Sequence, residues 1–77
     1  MKVNVKYMGL LKLKDVKSGN NVELIDGTTI SDFLHRYVAK KEHHKFIIVT
    51  VNEKKVNLLY ELQDQQAVSL FLPFGGG

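Results

Sequence analysis

The chain has 77 residues, 44% of them hydrophobic, with no cysteine and a formal net charge of +3. That bounds it to one small domain with a single modest core and a net stability of roughly 4–12 kcal/mol. It also excludes disulfide scaffolds, cysteine nucleophiles, thiolate zinc sites and iron–sulfur clusters. A pI near 9.3 leaves room for an acidic partner surface but does not by itself imply nucleic acid.

The opening stretch KVNVKYM alternates strictly. Val3, Val5 and Tyr7 point one way and Lys2, Asn4, Lys6 and Met8 the other, which is the period of a half-buried strand. GLLKLKDVKSGN shows no clean period and ends in turn chemistry, so it is expected to be a loose connection to a second strand at NVELID. DGTTISDFLHRYVAKK is the one helix. Thr28 or Thr29 is its cap, Asp32 lies in the first turn, and Lys40 and Lys41 suit its far end. Ile30, Phe33, Leu34, Tyr37 and Val38 form one apolar stripe that needs a sheet to lie on.

KFIIVTVN reads as a central strand buried on both faces or nearly so. NEKK turns the chain, KVNL is a short strand, and LYELQDQQ is a loop with room for one helical turn. AVSLFLP is the last strand, with Val68, Leu70 and Leu72 on one face and Ser69 and Phe71 on the other. FIIVTV is far too short to span a bilayer, and MKVNVKYM does not read as a signal peptide, so a soluble cytoplasmic protein is expected.

The order β-β-α-β-β-β points to an α+β chain of the β-grasp (ubiquitin-like) class. A mixed four- to five-stranded sheet carries one helix packed across it, with the first and last strands parallel at its centre. The expected division is a β-grasp domain over 1–72 and a flexible C-terminal glycine tail over 73–77.

Few residues in the body suggest chemistry. KKEHHK, residues 40–45, holds adjacent histidines that cannot face one another, with no third ligand at metal spacing; it reads as a solvated, basic helix end and no metal site is expected. Those lysines lack interleaved aromatics, so nucleic-acid binding is not expected. Ser31 and His35 are four residues apart on the helix but have no carboxylate placed to orient them. No glycine-rich loop precedes a helix to cradle a phosphate. The body looks like a scaffold, not an enzyme.

The tail is different. Pro73 stiffens the exit from an apolar strand, and Gly75, Gly76 and Gly77 can pass through a narrow channel. Residues 73–77, fully extended, reach about 17 Å. That delivers a terminal carboxylate into a buried pocket of another protein. An outward Phe71, with Met8 nearby, forms a candidate apolar patch beside it.

Over its whole length the chain resembles the MoaD/ThiS group of ubiquitin-like sulfur carriers, nearest its molybdopterin-synthase small-subunit branch. VKYMGLLK, VELIDGTTISDFL and VTVNEKKV are similar to that group's opening strand, helix entry and turn. LQDQQAVSLFLPFGGG is similar to its ending and is the most specific part. Leu72, Gly75 and Lys54 depart from the group's usual proline, small side chain and glycine.

The resemblance implies that Gly76 and Gly77 are the terminal pair, with Gly77 bearing the reactive carboxylate. It implies that Pro73 and Phe74 enter the partner with the glycines and that Phe71 packs on the partner enzyme. An E1-like enzyme using ATP and magnesium would adenylate Gly77, and a persulfide donor would convert it to a thiocarboxylate. The sulfur would go to an acceptor such as a molybdopterin synthase large subunit. The chain would bind no cofactor itself. A thiamine-thiazole or other sulfur carrier, or a protein modifier joined to lysines, uses the same adenylate.

Overall fold

A computed structural model describes residues 1–9 and 11–73. Five strands form one mixed sheet: β1 (Lys2–Met8), β2 (Asn20–Glu23), β3 (Ile48–Val51), β4 (Lys54–Val56) and β5 (Ala67–Phe71), in the order β2-β1-β5-β3-β4. A single α-helix, α1 (Ile30–Tyr37), follows β2 in the chain, and a short 3-10 helix spans Lys41–Phe46. This is the expected β-grasp. β1 and β5 lie side by side and parallel, pairing Val5 with Val68, Tyr7 with Leu70 and Met8 with Phe71.

Alternation decides what the sheet buries. Val3 and Val5 of β1, Val49 and Val51 of β3, and Val68 and Leu70 of β5 are all buried and share one core with Ile30, Phe33 and Leu34 of α1. One helix covers only one face. Residues 48–51 are therefore not buried on both sides as their composition suggests: Ile48 is exposed and Thr50 half-buried.

The helix is shorter than its stripe implies. It ends at Tyr37, and Val38 turns to an extended backbone (φ −111°) while its N–H still bonds the Leu34 carbonyl, 2.8 Å. The turn keeps the Val38 side chain in the core. The chain then returns as the 3-10 helix and places His44 beneath the helix end, with Nε2 donating to the Val38 carbonyl at 2.9 Å. Residues 40–45 are thus largely solvated, as expected, but they lie in and before the 3-10 helix and not at the end of α1, and His44 departs from the rest. His44 is 7% exposed and satisfies a carbonyl that the helix leaves open.

The β1–β2 connection is not loose either. Leu11, Leu13 and Val16 are buried and extend the core, Leu13 and Val16 bridge, and the Tyr7 hydroxyl donates to the Val16 carbonyl. Residues 57–66 form a strap, without a helical turn among the described residues. Ile30 N–H bonds Tyr60 O at 2.9 Å, and Ser31 N–H bonds Leu58 O at 2.8 Å.

Thr29, not Thr28, caps α1. Its hydroxyl accepts from Asp32 N–H at 3.1 Å, and the Asp32 carboxylate accepts from Thr29 N–H at 3.1 Å, a reciprocal capping box. Thr29→Ala should cost about 1 kcal/mol, read as a lower urea midpoint at unchanged slope. An unchanged midpoint would show the strap alone holds the first turn.

Hydrogen bonding from Thr29, its backbone N–H first and its side chain second, holds the Asp32 carboxyl below its ordinary value of 3.8. Lys2 N–H, donating to Asp64 at 2.7 Å, lowers Asp64 likewise. A depressed folded-state value contributes stability above the unfolded one. That contribution is lost as pH falls below 3.8 through the folded-state values. Acid titration should show stability falling there, with a shallower fall in Asp64→Asn; an unchanged slope in that variant refutes the assignment.

Candidate docking face and tail exit

The open face of the sheet is ordered in rows. Outward positions are Lys2, Asn4, Lys6 and Met8 on β1; Ala67, Ser69 and Phe71 on β5; and Ile48 and Thr50 on β3. Strand register aligns them across the sheet. Met8 pairs with Phe71 and Phe71 with Ile48; one step back, Lys6 pairs with Ser69, Ser69 with Thr50, and Thr50 with Lys55.

The last row is wholly apolar, and its members are 56%, 38% and 37% exposed, too much for a core and contiguous enough for a contact surface. The row behind it carries a lysine at each end. The face thus grades from charged to apolar toward the end of β5, two residues before Pro73.

Two features fix that exit. Leu72 is buried and anchors the chain one residue before the exposed Pro73. Gly9, with φ +80°, lets the chain after β1 pass beside it: a Cβ there would stand 3.2 Å from the Leu72 carbonyl oxygen, in a backbone region that side chains rarely adopt.

Met8 and Phe71 are therefore brought together, next to Pro73. Phe74, Gly75, Gly76 and Gly77 lie outside the described residues. Ile48 was missed because FIIVTV reads as continuously apolar; Thr50, two residues on, was the signal that this parity faces water.

The Ser31–His35 pair and the start of α1 are structurally engaged. His35 Nδ1 lies 2.8 Å from the Ser31 carbonyl oxygen and 3.5 Å from its hydroxyl, with its ring edge-on to His44 at 5.1 Å. Ile30, Ser31 and Asp32 N–H are bonded to Tyr60, Leu58 and Thr29, and Phe33 N–H to the Thr29 carbonyl, so the helix start offers no open donors to a phosphate. Among the described residues no three His, Asp or Glu gather at metal distance, and no helix is long and apolar enough to cross a membrane.

Sheet order, parallel central pair and helix define a ubiquitin-like β-grasp protein. SAMP1 from Haloferax volcanii has a similar structure, with TM-score 0.68, 15% identity and full coverage of both chains. So has a protein–protein complex of subunits 1 and 2 of molybdopterin-converting factor from Helicobacter pylori 26695, with TM-score 0.64, 24% identity and full coverage of both chains. At these identities the likeness is one of fold. No curated protein sequence matches significantly. The ThiS family profile matches residues 5–77, and the chain belongs to that family of ubiquitin-like sulfur carriers.

Proposed function

We propose that the chain carries sulfur on its C-terminal glycine for molybdopterin biosynthesis. The observation that carries this reading is the row Met8–Phe71–Ile48 at the end of β5, two residues before Pro73. The family match running to residue 77, and a neighbour of similar fold described within a molybdopterin-converting factor, support it.

The chemistry follows from a poor electrophile. A Gly77 carboxylate oxygen attacks the α-phosphate of magnesium-bound ATP in an E1-like enzyme, and pyrophosphate leaves. A persulfide sulfur adds to the acyl carbon of the adenylate, and AMP leaves. A thiol then cleaves the resulting acyl disulfide, giving a disulfide and the thiocarboxylate. The carrier contributes a rigid handle and a side-chain-free end, so partner pockets can be narrow. Binding must offset the ordering entropy of the tail.

The test is intact mass after incubation with the host's E1-like enzyme, ATP and a sulfur source. Sulfur for oxygen adds about 16 mass units, simple atomic arithmetic on the proposed group transfer. Lysine-linked adducts instead would assign a protein modifier, and no product would refute activation.

The docking row has its own test. Phe71→Ala should weaken binding to the activating enzyme about 30-fold, or about 2 kcal/mol, as for a central aromatic anchor. Because its ring is partly in water already, the melting temperature should fall by only a few degrees. Unchanged affinity would remove Phe71 from the interface.

A further inference from the structure

The open face of the sheet brackets its apolar row with two lysines. Val5, Val68, Val49 and Val51 are buried, so Lys6, Ser69 and Thr50 turn outward, and Lys55 joins them across from Thr50. The row across β1, β5, β3 and β4 therefore reads lysine, serine, threonine, lysine. Three strand spacings separate the two lysine backbones by about 14 Å. The Met8–Phe71–Ile48 row lies two residues, or about 6.8 Å, further along the strands.

Lys6 and Lys55 are exposed, and neither has a carboxylate at ion-pair distance among the described residues. The acids that border this face stand toward its other end. Glu23 is opposite Lys2 in register, and Asp64 accepts from Lys2 N–H at 2.7 Å. Glu53 lies in the β3–β4 turn next to Asn52, whose N–H bonds the carbonyl of Ala67, the first residue of β5. The outward positions of the two rows at the Phe71 end hold two cations and no acid.

The type of cation matters. A lysine ammonium is a strongly hydrated point charge on a flexible stem, and at an exposed rim such a charge speeds encounter more than it adds affinity. A second copy docked through this same face would set lysines against lysines. Two cations and a single aromatic ring also fall short of the basic, stacking groove that single-stranded nucleic acid takes.

We infer that the partner surface docked here is an apolar hollow flanked by two acidic groups about 14 Å apart, one meeting Lys6 and the other Lys55. This rests on the sulfur-carrier reading, under which that partner is the activating enzyme, and it adds the chemistry by which the enzyme recognises the chain. The apolar row holds the complex, and the two lysines steer its formation.

The test is stopped-flow association and dissociation with the host's E1-like enzyme, without ATP, at about 150 mM salt, where exposed charges are screened beyond about 8 Å. Lys6→Glu and Lys55→Glu should each slow association about tenfold and leave dissociation within about twofold. The double variant should slow it about 100-fold, since sites this far apart act independently. Lys41→Glu, exposed in the 3-10 helix and off this face, makes the same change in net charge and should leave association within about twofold. Phe71→Ala should instead speed dissociation. Lys6→Gln and Lys55→Gln, which only remove the charge, should each slow association about threefold, so the inference stays testable if a reversal lowers the melting temperature. Wild-type binding with association unaffected by the Lys6 and Lys55 variants would overturn this inference alone. Equal slowing by Lys41→Glu would overturn it too, by assigning the effect to net charge. A wild-type chain that does not bind the enzyme would overturn the sulfur-carrier reading and this inference with it.

Discussion

Deletion of Gly77 is expected to abolish thiocarboxylate formation while leaving the domain's melting temperature unchanged. One residue of extended chain is about 3.5 Å, so a shortened tail presents its carboxylate that far from the α-phosphate it must attack. A misplacement of about 1 Å already costs roughly 100-fold in an oriented reaction, so a loss on the order of 1000-fold or more is the expected scale. The fold should not respond, because the last buried anchor among the described residues is Leu72, five residues earlier.

The measurement is intact mass after incubation with the activating enzyme, ATP and sulfur donor, alongside a thermal melt. Near-normal conversion of the deleted chain would show that the terminal residue is not the acceptor. A lowered melting temperature would show that the tail belongs to the core.

Phe33→Ala is expected to remove most of the stability of the domain. Phe33 is 1% exposed, and its ring meets Tyr37 at a centroid distance of 4.8 Å on the helix face that covers the sheet. Truncating such a ring costs about 3–5 kcal/mol in lost transfer energy and cavity formation. Against a total of roughly 4–12 kcal/mol for a chain of this length, the variant at the lower end would be partly unfolded at room temperature. Urea unfolding checks this, with Ile48→Ser as the comparator: Ile48 is apolar too, but 37% exposed on the uncovered face, so its loss should stay within about 1 kcal/mol. Equal losses at the two positions would contradict the one-sided core.

Much of this architecture was legible in the residues. The alternation of KVNVKYM and AVSLFLP, the single apolar stripe from Ile30 to Val38 and the β-β-α-β-β-β order point to a β-grasp with parallel first and last strands. The docking row was legible in part. Met8 and Phe71 share outward parity, but Ile48 hides within an unbroken apolar run, and composition alone does not say that only one helix is available to cover the sheet. The burial of His44 within the solvated run 40–45 was hidden for a related reason. His44 looks like any polar residue in a basic run until the return of the chain brings it under the open carbonyl of Val38.

The sequence by itself determined the local terms: which positions alternate, that a threonine at 28 or 29 caps the helix, and that residues 75–77 are glycines. Those follow from side-chain shape, backbone sterics and near-neighbour hydrogen bonding, which act over a few residues. Only the tertiary structure decided which strand is an edge, which sheet face stays open, and that Met8, Phe71 and Ile48 meet at the end of β5. Such contacts join residues dozens of positions apart. They exist only because pairing in register and burial of the shared core offset the entropy of closing those loops.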